Sequence, residues 1–198
     1  LGYCDPDMTL TIKESFRYLL KAKIGENLIW AETTVPKHVE VSINEGFTDD
    51  ENAIFPDLKY DKNKEIPLTI SSADNSPVNL FMKNTCLEAY ANYQLANDDY
   101  EDILDELDKY EYEYYRKQVV LCFTFQPQTV NNGYQVEFDV ILGTYFFYGN
   151  YETLLYSVDE NFHRYNYMNE GYKYGGVNGG MGYFGSFSGK AFYTNLVE

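Results

Sequence analysis

The sequence is poor in cysteine and histidine, and this scarcity argues against one common class of site. Its 198 residues include three cysteines and two histidines. No two cysteines form a Cys-x-x-Cys pair, and His38 and His163 lie far apart in the chain. A structural zinc site needs about four Cys or His ligands at short spacings. We therefore expect no zinc site.

Basic residues are also scarce. The chain has 15 Lys and Arg against 31 Asp and Glu, which gives a formal net charge of −16. Its densest basic stretches, Lys59–Lys64 and Arg164–Lys173, are interrupted by acids. A negative field repels nucleic-acid phosphates and anionic membranes. We expect no nucleic-acid partner, which leaves cations, neutral glycans, peptides and proteins.

Long apolar runs are absent as well. The longest, such as Val119–Phe123, have the length of a strand, whereas a membrane-spanning helix needs roughly 18 apolar residues or more. The sequence therefore predicts no transmembrane segment.

Aromatic residues are abundant, with 21 Tyr and 13 Phe. Tyrosine suits half-buried sheet faces, because its ring packs while its hydroxyl reaches water. Several segments alternate as strands do. Phe16–Ile24 and Leu28–Val35 flank a turn at Gly25 and predict a hairpin, and Tyr134–Leu142 alternates best. Further strands are expected at Val39–Ile43, Pro67–Ser71, Val119–Phe125 and Ala191–Val197, with a long loop over residues 44–64 and a glycine-rich loop over Tyr174–Gly189.

Two helices interrupt this pattern. Asp98–Lys117 carries one apolar stripe, begins with acids and ends with bases. Val158–Met168 follows Ser157, which with Glu160 has the spacing of a capping box. We expect a single, mainly β domain over residues 1–198, an antiparallel β-sandwich with one or two helices and a mobile N-terminus at residues 1–9.

Three sets of residues are candidates for chemistry. Asp49, Asp50 and Glu51 lie in an acidic loop and are a candidate calcium site. Ser186 and Ser188 resemble a nucleophile elbow only superficially, because Phe187 stands at the position that needs serine. Acidic pairs suited to glycoside hydrolysis are not distinguished by spacing. We expect no enzyme and no cofactor beyond calcium.

Cysteine pairing stays open in the sequence. Cys86 and Cys122 form a disulfide if strands bring them together, or else they are two small buried apolar residues. Cys4 follows Leu1 at the spacing of a lipobox and precedes Asp5, which makes it a candidate for lipid attachment, although Tyr3 is larger than the residue usually found there.

Two segments resemble one known family. Tyr18–Pro36 is similar to a "Y-x-L-x-V…A-x-T-x-[IV]-P" strand-turn-strand motif, and Leu154–Tyr165 with Gly179–Phe187 is similar to a closing pattern of sheet, short helix and "N-G-x-G-x-F-G-A". Both motifs are those of Bacteroidota cell-envelope lipoproteins of unknown function, which are often found beside TonB-dependent receptors. The resemblance covers about a quarter of the chain and transfers no catalytic residues. It implies an immunoglobulin-like β-sandwich at the cell surface or in the periplasm, anchored to the outer membrane.

These observations favour a non-enzymatic, extracytoplasmic binding domain. Its partner is expected to be a glycan, a peptide or an envelope protein such as an outer-membrane receptor. Two alternatives remain, a self-assembling fimbrial or surface-structure subunit and a hydrolase that uses an unrecognised carboxylate pair. The predicted contact surface consists of aromatic residues near the C-terminus: Tyr165, Tyr167, Tyr172, Tyr174, Tyr183 and Phe184.

Overall fold

A computed structural model describes most of the chain. The described residues are 9–43, 46–61, 66–72, 78–96, 107–125, 134–138, 144–170, 173 and 175–198. The single domain stays a prediction, and the described chain divides into two compact units. We call them the hairpin unit, which contains the chain up to His38 and Val158–Ser188, and the sandwich unit, which contains Val39–Ser157 and Gly189–Glu198.

The hairpin unit is built on the predicted hairpin. Strand β1 spans Arg17–Ile24 and β2 spans Asn27–Thr34, in an antiparallel register that runs from Arg17 opposite Thr34 to Ile24 opposite Asn27. Gly25 opens the two-residue turn with a φ of 64°, a conformation that glycine adopts without strain. The short strand β10, Val177–Asn178, pairs with the other side of β2 and interrupts the loop predicted over the glycine-rich segment.

A helix completes the hairpin unit. The helix predicted at Val158–Met168 spans Glu160–Tyr167. Asp159 is its N-cap and accepts a hydrogen bond from the backbone N–H of Phe162. The prediction of a capping box at Ser157 is wrong, because Ser157 is the penultimate residue of a strand and its side chain is buried there.

The sandwich unit contains two sheets. The five-stranded sheet has the order β4-β11-β9-β6-β7, and the three-stranded sheet has the order β3-β5-β8. The strands are β3 Val39–Ile43, β4 Asp57–Lys59, β5 Ile66–Ser72, β6 Val78–Cys86, β7 Lys117–Phe125, β8 Tyr134–Phe138, β9 Gly149–Val158 and β11 Phe187–Val197. Strand β4 lies in the predicted long loop and pairs in parallel with β11, whereas β3 with β5 and β5 with β8 are antiparallel.

Alternating burial explains why the sheets face each other. Along β6, Leu80 and Met82 are buried while Phe81 between them is partly exposed. Val39 and Val41 of the three-stranded sheet join the same apolar cluster as Leu80, Met82 and other residues of the five-stranded sheet. One core shared by two sheets is a β-sandwich. The mainly β sandwich with two helices is therefore confirmed, and its immunoglobulin-like character stays a prediction.

The first helix of the chain, α1, spans Lys109–Tyr115; we call Glu160–Tyr167 α2. The prediction placed the first helix over Asp98–Lys117, of which residues 98–106 lie outside the described residues. Asp108 has an extended backbone and caps α1 in a capping box with Glu111, which explains where the helix begins. Lys117 already belongs to β7.

Of the two alternatives that the sequence leaves open for Cys86 and Cys122, the disulfide is contradicted. Cys86 is a free, buried thiol at the end of β6. The backbone of Cys122 pairs opposite Phe81, five residues along β6 from Cys86. Five strand residues span about 16 Å, whereas a disulfide needs Cα atoms closer than about 7 Å. Cys4 lies outside the described residues.

None of the helices in the described part of the chain has the length and apolar character needed to cross a membrane.

Candidate functional site

A chain of hydroxyl groups and a carboxylate fixes β2 to the start of α2. The Thr33 hydroxyl donates to Asp159 Oδ2 at 2.5 Å and lies 2.7 Å from the Ser186 hydroxyl, which donates to the Thr34 carbonyl at 3.0 Å. The other carboxylate oxygen of Asp159 caps α2 through Phe162 N–H at 2.9 Å. Both Thr33 and Asp159 are buried. The cluster therefore joins three separate segments of the hairpin unit.

The hydrogen bonds of this cluster also show how the Ser186 hydroxyl, a candidate nucleophile, is engaged. Each hydroxyl has one hydrogen. Thr33 gives its hydrogen to Asp159 and Ser186 gives its hydrogen to the Thr34 carbonyl, so the contact between the two hydroxyls shares one of these hydrogens. The acceptor of the Ser186 hydroxyl is thus a backbone carbonyl. Nucleophilic serine instead needs an oriented base that accepts its proton. Ser188 donates to Glu14 at 3.0 Å.

Asn161 makes a second connection between the same segments. Its side-chain amide donates to the carbonyl of Glu32 at 2.6 Å and to the carbonyl of Phe184 at 3.0 Å. Gly176 lies against this amide with a φ of 79°, and a Cβ at Gly176 would collide with the Asn161 side chain. The glycine is therefore required both by its backbone conformation and by the close approach of Asn161.

These connections form the floor of a cleft of about 400 Å³ within the hairpin unit. Its size falls in the range of small-ligand sites, roughly 300–1,000 Å³. The residues that line it come from β2, β10 and the start of α2, and they include Trp30, Glu32, Thr34, Glu160, Asn161 and Asn178.

Trp30 supplies the aromatic surface of this cleft. It is the only tryptophan of the chain, and 38% of it is exposed. Asn178 pairs with it across the β2–β10 ladder, so an indole and a side-chain amide lie beside each other. Trp30 is not among the residues that the sequence predicted for the site. Its alternation in β2 with the buried Ala31 is the signal that identifies it as outward facing.

The carboxylates of the cleft are partly neutralised by neighbouring cations. Glu32 lies 3.6 Å from the Arg17 guanidinium, and Glu160 lies 2.8 Å from the guanidinium of Arg164. All four side chains are about half exposed or more. The rim therefore offers carboxylate oxygens as hydrogen-bond acceptors, and its local charge is balanced by the two arginines.

The predicted aromatic surface is brought together in part. The rings of Tyr165 and Tyr183 lie 4.7 Å apart, and Phe162 packs edge-on against Tyr183 at 6.0 Å. Tyr183 is 47% exposed. Tyr167 stacks instead on His163 at 6.0 Å.

Three further residues belong to the predicted aromatic surface. Phe184 is half-buried and contributes its backbone, which bonds to Gly175 and Asn161. Tyr172 and Tyr174 lie outside the described residues. Phe162 was not predicted, although its position one turn before Tyr165 places the two rings on one face of α2.

The aromatic pair continues from the cleft. Asn161 and Tyr165 are four residues apart on α2 and so lie on the same face of the helix. Gly176, which lines the cleft, forms a backbone bridge with Tyr183. The cleft and the Tyr165–Tyr183 pair therefore form one extended surface of the hairpin unit, which we call the Trp30 cleft surface.

The predicted calcium residues have other contacts. Asp50 accepts a hydrogen bond from Asn52 N–H at 2.9 Å, and Asp49 lies 3.8 Å from the Lys190 ammonium. The part of the chain that the structure describes contains no group of three or more His, Cys, Asp or Glu side chains placed to hold a metal ion.

A buried thiol lies in the sandwich unit. Burial raises the pKa of Cys86 above its ordinary value, and burial likewise raises the pKa of the neighbouring Tyr112 and Tyr151. Nucleophilic cysteines show the opposite shift, because the thiolate is the reactive form. Cys86 is therefore a packing residue of the core.

A second cavity, of about 600 Å³, also lies in the sandwich unit. It is lined by Gln94, Tyr148 and the last residues of β11. Two nearby polar or aromatic groups are already engaged, because Asn195 donates to Asp57 at 2.8 Å and Tyr148 packs edge-on against Tyr60. The Trp30 cleft surface has the more varied set of side chains for a ligand.

Comparison of the chain with protein-family models, with curated proteins and with solved structures finds no match.

Proposed function

We propose that the protein is a non-catalytic, extracytoplasmic binding domain that holds a neutral glycan on the Trp30 cleft surface. One observation supports this most strongly. A partly exposed indole lies in a cleft of ligand size beside carboxylate and amide groups. That combination provides an apolar face and directed polar groups in one place.

The chemistry of a sugar fits this arrangement. A pyranose ring has an apolar C–H face that packs on an aromatic ring, and its hydroxyl groups both donate and accept hydrogen bonds. Trp30 offers the aromatic face, Glu32 and Glu160 accept, and the Asn178 amide can do both. Tyr165 and Tyr183 extend the surface for further sugar units.

The charge of the cleft favours a neutral ligand. The two carboxylates at its rim, Glu32 and Glu160, already have arginine partners, and the whole chain has a net charge of −16. A carboxylated or phosphorylated glycan would bring a further negative charge into this field. A neutral glycan makes the same hydrogen bonds without that repulsion.

The location is part of the proposal. Its support is the resemblance of Tyr18–Pro36 and of the closing segments to Bacteroidota envelope lipoproteins, which also suggests attachment to the outer membrane through Cys4 and a TonB-dependent receptor as partner. The acidic composition keeps such a domain soluble in that environment.

The test is binding to a panel of neutral and acidic polysaccharides, measured by the fluorescence of the single tryptophan and by calorimetry. We expect one or more neutral glycans to bind, and Trp30→Ala to weaken binding about tenfold or more, measured by calorimetry because this variant has no tryptophan. Tyr114→Ala is the matched control, because Tyr114 is an exposed aromatic residue of the sandwich unit, and it should bind as the wild type does. Equal loss in both variants, or no binding to any glycan, would contradict the proposal.

One observation favours the second candidate, a self-assembling surface-structure subunit. The edge strand β1 has large exposed apolar side chains, among them Leu19, Leu20 and Ile24. Exposed edges of this kind associate with other strands. Sedimentation at micromolar concentration separates the two functions, since a glycan-binding domain needs no self-association and a polymer subunit forms larger species.

A further inference from the structure

The open side of β1 is the most distinctive unpartnered element of the hairpin unit. One side of β1 pairs with β2 over eight residues, and no strand of the described chain lies on its other side. Its sequence, Arg17–Ile24, contains neither proline nor glycine. Alternate backbone N–H and C=O groups of such a strand point to the open side and can pair with another strand.

The two faces of β1 differ in chemistry. Leu20 and Ile24, which share one face, are 50% and 64% exposed. Arg17, Lys21 and Lys23 share the other face with Leu19, and all four are exposed. Arg17 has Glu32 as an ion-pair partner, whereas Lys21 and Lys23 form no ion pair with any residue that the structure describes. Strand β1 thus carries three cations and no acid in a chain whose net charge is −16.

We propose that the open side of β1 binds an extended segment of a partner protein in which acidic side chains alternate with apolar ones. Addition of such a strand satisfies the free backbone groups of β1. Because side chains on neighbouring strands lie beside each other on the same face, the acids would meet Lys21 and Lys23 and the apolar residues would meet Leu20 and Ile24. The edge adjoins the glycan site, because Lys21 lies opposite Trp30 and Arg17 pairs with Glu32. The proposal uses the open backbone edge of β1 and does not rest on glycan binding, so peptide binding and glycan binding test the two proposals separately.

Pairing of β1 with the same strand of a second copy is unfavourable. A two-fold antiparallel pair of β1 strands brings residues of the same face opposite each other. Depending on the register, Lys21 then lies opposite Lys21, Lys21 opposite Lys23, or Arg17 opposite Lys23. Like charges directly opposite are destabilising, and edge lysines are a common protection against self-pairing. The same lysines attract an acidic strand.

The test uses the full chain and a blocked, fluorescently labelled peptide of eight residues with alternating glutamate and valine, followed by fluorescence anisotropy. We expect it to bind about tenfold more tightly than a peptide of alternating lysine and valine, because two or three cross-strand ion pairs are gained. N-methylation of alternate amides in the acidic peptide should abolish binding, since it removes the donors that pair with β1.

Charge reversal supplies the matched control. Lys21→Glu/Lys23→Glu should reverse the preference between the two peptides. Lys59→Glu/Lys109→Glu changes the net charge by the same amount on exposed residues of the sandwich unit and should leave the preference for the acidic peptide in place.

Three results would overturn the proposal: equal affinity for both peptides, an unchanged preference after the reversal at Lys21 and Lys23, or undiminished binding of the N-methylated peptide. Binding to vesicles of anionic lipid that is lost in the Lys21→Glu/Lys23→Glu variant, with no peptide binding, would assign this face to a membrane surface and would also overturn it.

Discussion

The amide of Asn161 donates a 2.6 Å hydrogen bond to the carbonyl of Glu32, 129 residues earlier in the chain. Glu32 is two residues from Trp30 on β2, so this bond fixes α2 to the strand that carries the indole. A second bond from the same amide reaches Phe184. The shape of the proposed glycan site therefore depends on a residue that offers the ligand no aromatic face of its own.

Asn161→Leu should destabilise the protein and weaken glycan binding together. The substitution leaves two partly buried carbonyls without a donor, which costs about 1–3 kcal/mol. Asn166→Leu is the control, because the Asn166 amide bonds only to Phe162 in an exposed position on the same helix and surface changes of this kind cost about 0.5 kcal/mol or less. Urea unfolding of both variants measures the difference. Equal effects would show that the Asn161 connection does not support the site.

Gly176→Ala should cost more stability than Gly25→Ala. Both glycines have positive φ, near 79° and 64°, so both substitutions introduce backbone strain of about 1–2 kcal/mol. At Gly25 nothing lies within 4 Å of the added Cβ, whereas at Gly176 the Cβ meets the Asn161 side chain. Thermal unfolding of the pair measures the contribution of that contact. A larger loss at Gly25 would contradict the geometry of the cleft floor.

Asp159→Ala should be more destabilising than Asp108→Ala. Both carboxylates are helix N-caps, and loss of a cap costs about 1 kcal/mol. Asp159 is buried and also accepts the hydrogen bond of Thr33, so its removal also takes away the charged acceptor of a buried hydroxyl. Asp159→Asn keeps most of the capping ability and should lie between wild type and Asp159→Ala. The measurement is the midpoint of urea unfolding for the three variants.

Alkaline pH should destabilise the sandwich unit. Burial raises the pKa of Tyr145 in the folded state above the ordinary value of 10.0. Above that value the unfolded state loses the tyrosine proton and the folded state keeps it, so the unfolded state binds fewer protons and stability falls as pH rises. The stabilising contribution is fully present below the unfolded pKa.

Tyr145→Phe tests this dependence. Removal of the hydroxyl removes one titrating group, so the loss of stability between about pH 8 and about pH 11 should be smaller by up to about 1.4 kcal/mol. Tyr110→Phe is the control, because Tyr110 is 88% exposed and the substitution removes a tyrosine hydroxyl while the buried one stays in place. An identical slope in wild type and Tyr145→Phe would contradict the burial of that hydroxyl.

Alternation in the sequence was sufficient to predict most strands, and the exceptions have physical causes. Strand β9 was missed because its inward positions include Thr153 and Ser157, which are polar and yet buried. Thr153 is tolerated there because its hydroxyl donates to Asn84 at 2.7 Å on the neighbouring strand. The three-residue strand β4 has a single buried side chain, Leu58, so its pattern is too short to separate from a loop.

Helix boundaries and the site depend on information that spacing alone does not carry. Ser157 and Glu160 have the spacing of a capping box, but Ser157 is buried in β9 and the cap passes to Asp159. The aromatic residues of α2 were predicted because they are close in sequence. Trp30 and Glu32 join them only through the long-range contacts of Asn161 and Thr33, and no local pattern indicates such contacts.

The most direct test of the glycan proposal is the nuclear magnetic resonance signal of the Trp30 indole N–H. The chain has one tryptophan, so this resonance is assigned without further variants. The indole signal should shift progressively as a neutral glycan identified by calorimetry is added, and it should reach saturation at the same stoichiometry. A glycan that binds with measurable heat and leaves the indole resonance unmoved would contradict the placement of the site on the Trp30 cleft surface.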